Sequence, residues 1–212
     1  MIKTIFFDFG GVFTFSPFTL IDEIGAARGA APGEFGRIMF GSYHADGEHP
    51  WHRLERGEIS LEDARGHILE LGRATGHEVD IFEILGSLPR DGGLRSALVD
   101  KVAALKEAGY RLAIITNNVR EFSDGWRSLL PVDALFEEVI DSCVEGIRKP
   151  DPGIFELALT RMGGVDPAHS LFLDDYPANV AAAEALGIRS ILVDTDDDGV
   201  IAAIDQHLQG EL

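Results

Sequence analysis

Asp8 closes the apolar run Thr4-Ile5-Phe6-Phe7 and is followed by Phe9, two glycines and Val12-Phe13-Thr14. A short unbroken apolar run bounded by glycines reads as a buried parallel strand. Asp8 then stands at the carboxyl end of that strand, the edge at which open α/β sheets take ligands. Gly10 and Gly11 allow close backbone approach or positive φ. A carboxylate held there can attack an electrophile and form a covalent intermediate; taken alone, it can equally cap a turn. Three further strand ends carry polar residues of distinct kinds. One is Thr116-Asn117-Asn118, one leads through a loop to Arg148-Lys149-Pro150-Asp151-Pro152, and one is Asp174-Asp175 with Asn179 four residues on. The switch-point rule gathers all four at one edge of the sheet.

A nucleophilic carboxylate, a hydroxyl, an ammonium and a carboxylate pair suit phosphoryl transfer, in which positioning and charge neutralisation supply most of the rate. Asp8 is the expected in-line nucleophile. Mg²⁺ takes oxygen ligands and keeps several waters, and Asp8, the Gly10 carbonyl and Asp174 are the expected set. Gly10, Gly11, Thr116, Asn117 and Lys149 are the expected phosphate-binding group, through the Thr116 hydroxyl, nearby backbone N–H groups and the Lys149 charge. Asp175 is expected to orient Lys149 or a metal-bound water, or to cap the helix after it. Asn179 reads as support for these groups, and Arg148 as an ordinary solvated charge.

These residues need a scaffold, and the chain supplies two textures. From 15 to 89 it is helical. Apolar spacing predicts helices over 18–28, with Phe18, Ile21 and Ile24 on one face, and over 32–40, with Pro32 in the first turn. A third, over 61–74, starts on a capping-box pair, Ser60 and Asp63, and carries Ala64, Ile68 and Leu71 on one face. From 94 onward strands alternate with helices. Strands are expected at 111–116, 138–141, 170–174 and 190–194. Helices are expected at 94–108, 119–130, 151–162, 178–186 and 200–208. That alternation means a doubly wound parallel sheet. The fold class is therefore α/β, with a core of 1–14 and 90–212, and 15–89 as a small helical insert after the first strand.

Bulk properties narrow the partners. The 212 residues hold 45% hydrophobic and 25% charged residues, ordinary for a globular chain. A formal charge of −18 repels phosphate backbones and anionic bilayers, so neither nucleic acid nor a membrane is an expected partner. An anionic substrate then needs a local inversion of the field, which a divalent cation and one placed lysine supply. Cys143 is the only cysteine, no signal peptide is apparent before the first strand, and a cytoplasmic location is expected. The last residues, 209–212, read as a frayed end. His44, His49 and His52 with Asp46 and Glu48 match no compact zinc spacing and read as a polar loop. Asp196-Asp197-Asp198 reads as a solvated helix start, and Phe13, Phe15, Phe18, Phe40 and Tyr43 as insert packing or pocket lining.

The four motifs, Phe7-Asp8-Phe9-Gly10-Gly11-Val12, Ile115-Thr116-Asn117-Asn118, Lys149-Pro150 and Leu173-Asp174-Asp175 with Asn179, resemble in order those of the haloacid dehalogenase superfamily. The helical insert resembles that family's small cap. Glu55-Arg56-Gly57-Glu58-Ile59-Ser60 is similar to the caps of its sugar-phosphate phosphatases and of the phosphatase-like domain attached to epoxide hydrolases. The resemblance implies a Mg²⁺-dependent phosphatase of a small phosphorylated metabolite, monomeric or homodimeric, working through an aspartyl-phosphate on Asp8. Two alternatives stay open: a metal-free 2-haloacid dehalogenase with the same nucleophile, and a phosphate-binding relic with little turnover. Both rest on Gly10, where phosphatases of this family usually carry an Asp as general acid and base. The paired Asp174 and Asp175 favour the metal-dependent reading.

Overall fold

The computed structural model describes residues 1–87 and 93–209. After strand β1 (Thr4–Phe7) the chain makes helices α1 (Pro17–Ala27), α2 (Glu34–Phe40), α3 (Pro50–Glu55), α4 (Leu61–Ala74), α5 (Ile81–Gly86) and α6 (Ser96–Glu107). It then alternates: β2 (Arg111–Thr116), α7 (Ser123–Arg127), α8 (Val132–Leu135), β3 (Glu138–Asp141), α9 (Ser142–Glu145), α10 (Pro152–Arg161), β4 (Ser170–Asp174), α11 (Pro177–Ala185), β5 (Arg189–Leu192) and α12 (Asp197–Gln209). The strands form one parallel sheet in the order β3-β2-β1-β4-β5. β1 is central, and the winding direction reverses there, which is where such sheets open a crevice.

Alternate strand residues serve opposite faces. Ile5 and Phe7 pack with Leu112, Ile114, Leu171 and Leu173 on one side, under Leu98 and Val102 of α6 and Val200 and Ile204 of α12. Phe6 packs with Ala113, Ile115 and Phe172 on the other, under Phe155 and Ala158 of α10 and Ala183 of α11. Both faces are covered, and that is why the strands read as unbroken apolar runs rather than alternating ones.

The helices between β1 and α6 have their own apolar cluster, which includes Ile21, Phe35, Met39, Trp51, Leu54, Ile68 and Ile84. The cluster is not closed on itself. Val119, just after β2, belongs to it, and Tyr176, just after β4, packs against it. The cap therefore rests on the two loops that flank Asp8. The expected cap–core boundary at 89/90 lies outside the described residues. Of the frayed end expected over 209–212, Gln209 belongs to α12 and the rest also lies outside them.

Several elements differ from expectation for local reasons. Pro32 does not open α2: Gly33 takes a left-handed φ of 70° and the helix starts at Glu34. The helix expected over 119–130 is a single 3₁₀ turn, Arg120–Phe122, followed by the short α7. Val119 is extended because it is committed to the cap cluster. α3 and α5 were not expected; Pro50 opens the first, and the Asp80 carboxylate caps the second through Phe82 N–H. β5 begins one residue earlier than expected and stops at Leu192. On α4 the buried stripe is Ala64, Ile68 and Gly72, while Leu71 is 41% exposed. Gly72 is required because the returning chain at His77 leaves no room for a Cβ there, which would lie 2.8 Å from the His77 oxygen.

The capping pair on α4 is present. Ser60 Oγ accepts from Asp63 N–H at 3.1 Å and donates to Asp63 Oδ2 at 2.7 Å. Ser60→Ala should cost about 1 kcal/mol of stability, read as a lower urea midpoint with an unchanged slope.

Candidate active site

Sheet register carries the site. Phe7 lies opposite Leu173 of β4 and Ile114 of β2, so the next residues along, Asp8 and Asp174, end their strands side by side. Thr116 ends β2 two residues beyond Ile114 and is buried. Lys149 arrives from the loop after α9, fully buried, and its Nζ sits 2.9 Å from Asp8 Oδ1 and 2.6 Å from Asp174 Oδ2. Asp174 is held further by Asn179 Nδ2, at 3.0 and 3.1 Å from its two oxygens, and by Tyr176 N–H at 2.8 Å. Asn179 thus has the supporting place expected of it. Asp8 Oδ1 also accepts from Phe9 N–H at 2.7 Å.

Asn117 serves the site through its side chain in a way not foreseen. Its Nδ2 donates to the Lys149 carbonyl at 2.9 Å and its Oδ1 accepts Lys149 N–H at 2.8 Å. The amide therefore clamps the lysine backbone, and only the Asn117 main chain remains for the phosphate contact expected of it.

The two glycines differ. A Cβ on Gly10 would meet nothing within 4 Å, and its φ is not left-handed. Gly11 has φ 75°, and a Cβ there would lie 2.1 Å from the Asp175 carboxyl. That carboxyl fills the space over Gly11 and accepts a hydrogen bond from Ser16. Tyr176, not Asp175, occupies the cap position of α11. The ion pairs of Lys149 are with Asp8 and Asp174, and Asp175 reaches the ammonium only at longer range. Two of the site's supports were not legible in the sequence. Arg95 donates through Nη1 to the Gly11 carbonyl at 2.9 Å and pairs with Asp197 at 2.7 Å, so one residue of the acidic run 196–198 braces the glycine loop. Arg148 is fully buried, not solvated as expected.

Asp8, Asp174 and Asp175 each place one oxygen so that all three lie within 4.8 Å of one another. One ammonium faces three carboxylates. Burial, then Asp174 and Asp175 working against the pull of Lys149, pushes Asp8 up to about 7. Burial and Asp174 push Asp175 up to about 6. Burial works against the Lys149 charge, but Asp174 and Asp8 outweigh it and hold the ammonium above its ordinary range. The carboxylates thus lack positive charge, and an all-oxygen donor set short of charge fits a hard divalent cation. Of the histidines expected in a polar loop, His52 instead lies buried in α3 beside Asp46, with its Nδ1 3.7 Å from the carboxylate, and His49 caps that helix through Trp51 N–H.

A raised carboxylate pKa sets a pH dependence of stability. Folded Asp8 binds more protons than unfolded Asp8 between about 4 and about 7, so its contribution is present below that window and lost as pH rises through it. Asp8→Asn removes the term. In metal-free buffer its melting temperature should gain on the wild type steadily from pH 4 to 7, measured by scanning calorimetry. A gap that does not change with pH would contradict the raised value.

The family model for haloacid dehalogenase-like hydrolases matches residues 2–187. Acyl-CoA dehydrogenase family member 10 of Mus musculus is 32% identical over 207 residues, covering 93% of this chain and 18% of that protein. A sesquiterpene phosphatase of Aspergillus oryzae is 28% identical, covering 88% of this chain and 87% of that one. The chain spans less than a third of the first curated relatives it matches. A Bacteroides thetaiotaomicron haloacid dehalogenase family enzyme, solved with magnesium and inorganic phosphate, has TM-score 0.63 and 22% identity, covering 94% of this chain and 99% of that one. The L-2-haloacid dehalogenase of Xanthobacter autotrophicus has TM-score 0.57 and 20% identity, covering 90% and 76%. These two structures are likenesses of fold alone. The match to the family model, over four motifs that the fold brings to one sheet edge, shows that this chain belongs to the haloacid dehalogenase-like hydrolases.

Proposed function

We propose that the chain is a Mg²⁺-dependent phosphatase of a small phosphorylated metabolite, acting through an aspartyl-phosphate on Asp8. The observation that supports this most is the buried Lys149 ammonium bridging Asp8 and Asp174, with the Asp175 carboxylate close enough to complete a cation site. A dehalogenase has the same nucleophile but no use for a cluster of carboxylates beyond it. The phosphatase named among the relatives is in keeping with this reading.

Asp8, Asp174, Asp175 and the Gly10 carbonyl are the groups that would hold Mg²⁺, which when bound offsets charge on the phosphoryl oxygens. The chain's own groups do the rest. Lys149 and Phe9 N–H hold Asp8 Oδ1, which leaves Oδ2 as the atom we assign to attack. A bond forms from Oδ2 to phosphorus as the ester P–O bond breaks, and the leaving oxygen departs with the bonding pair. Water then attacks the phosphorus, the Oδ2–P bond breaks, and phosphate leaves with Asp8 restored. Lys149 stays beside Oδ1 throughout and offsets the charge that gathers there. Thr116 and the main chain around Gly10, Gly11 and Asn117 are assigned to the phosphate oxygens.

Asp8→Asn should abolish hydrolysis of p-nitrophenyl phosphate while the protein stays folded, and chelation with EDTA should do the same reversibly. Asp174→Ala should lose Mg²⁺ binding in calorimetry. Full activity in EDTA would instead favour metal-free chemistry at Asp8.

The open space at Gly10 generates a sharper test. No side chain at that position can protonate a leaving oxygen. Aryl phosphates leave without a proton and alkyl phosphates need one, so the wild type should prefer the former strongly. Gly10 tolerates a Cβ, so Gly10→Asp should melt normally and raise kcat for alkyl phosphates selectively. General acid catalysis is typically worth ~10²–10⁴-fold, so a gain of at least tens of fold is expected. A folded Gly10→Asp protein with unchanged leaving-group dependence would show that another group already delivers the proton.

A further inference from the structure

Arg148 and Lys149 are adjacent, both fully buried, and bonded to different parts of the fold. Lys149 reaches Asp8 and Asp174 in the core. Arg148 reaches the cap. Its Nε donates to Glu55 Oε2 at 2.7 Å, its Nη1 lies 3.4 Å from Asp46 Oδ1, and its guanidinium sits over the Tyr43 ring at 4.6 Å. Glu55, at the end of α3, is itself buried, and its Oε1 accepts from the Tyr43 hydroxyl and from Trp51 Nε1 at 2.8 Å. A buried guanidinium and a buried carboxylate have both lost water, and the remaining partners of each, Asp46 at 3.4 Å for Arg148 and the Tyr43 and Trp51 donors for Glu55, do not replace the opposite charge at 2.7 Å, so separating the pair leaves both poorly compensated.

The same edge of the cap is fastened twice more. Gly57, with φ 68°, approaches so closely that a Cβ there would lie 2.5 Å from the Cys143 carbonyl. The Leu61 N–H donates to Glu121 Oε1 at 2.9 Å. Lys149 is thus held from two sides. Asn117 clamps its own backbone from the end of β2, and the cap anchors the residue before it through Glu55.

We propose that Arg148 is a positioning residue for the chemistry at Asp8, which it serves by tying Lys149 to the seated cap through the Arg148–Glu55 ion pair. The effect on turnover rests on the phosphatase reading; the effect on Lys149 does not. Displacing a charged group by about 1 Å can cost up to ~10²-fold in rate.

The test uses Arg148→Met, Glu55→Gln and the double variant. Each is measured for melting temperature, for kcat and KM on p-nitrophenyl phosphate with Mg²⁺, and for the ε-carbon NMR signal of Lys149, one of four lysines in the chain. Each single variant should melt lower and lose roughly ten- to a hundred-fold in kcat, with KM within about threefold. The double variant strands no charge, so its melting temperature should recover while kcat stays low. The Lys149 signal should move in all three. Recovery of kcat together with melting in the double variant would reduce the pair to a structural brace and overturn the proposal. So would an unmoved Lys149 signal. If a single variant does not fold, the double variant carries the test. If the wild type hydrolyses no phosphate ester, the phosphatase reading fails and the Lys149 signal alone decides whether Arg148 sets the lysine's place.

Discussion

One buried ammonium holds the site together. Lys149 lies between two strand-end carboxylates with no exposed surface of its own. An unpaired charge at that depth would neutralise rather than persist, so the lysine, Asp8 and Asp174 require one another. The rest of the fold serves that arrangement. Parallel register sets the two carboxylates level, Asn179 and Tyr176 fix one of them, and Asn117 fixes the lysine backbone. In a protein of charge −18, Lys149 is a point of local positive charge set against an acidic background.

The cap is part of this arrangement, not a separate lid. Its apolar cluster takes in Val119 and contacts Tyr176, in the loops that follow β2 and β4, and the buried ion pair of Glu55 ends on the residue before Lys149. Ser16, at the start of the first cap helix, also touches Asp175. Cap placement and site geometry are therefore one packing problem, and a substitution in either is felt in the other.

Most of the fold was legible because buried parallel strands are continuous apolar runs that stop on polar residues. β2, β3 and β4 lie where those runs predict, and Thr116 and Asp174, which end β2 and β4, belong to the candidate site, whereas Asp141, which ends β3, caps α9 instead. The short helices were not legible, because six residues of α3 or α5 are too few for a period to show. Leu71 was misplaced for a related reason: the stripe is completed by Gly72, which has no side chain to reveal it. Arg148 and Arg95 were out of reach for a different reason. An arginine destined for a buried pair looks the same in sequence as a solvated one, and their partners are 93 and 102 residues away. The glycine pair was legible only in kind. Nothing in the letters separates Gly10, which has room, from Gly11, which has none.

The central position of β1 has a consequence for how the molecule comes into being. Thr4 pairs with Arg111 on one side and Ser170 on the other, so the middle of the sheet is the segment whose partners are most distant along the chain. During synthesis Ile5, Phe6 and Phe7 exist as an unpaired apolar stretch while the whole cap and most of the core are still being made. Such long-range pairing is slow to form and leaves sticky surface exposed meanwhile. The cap helices, rich in local contacts, gain structure early, but their cluster waits for Val119 and Tyr176. The strand that leads into Asp8 is thus laid down early and locked late, and its three apolar residues stay open to wrong contacts in the interval.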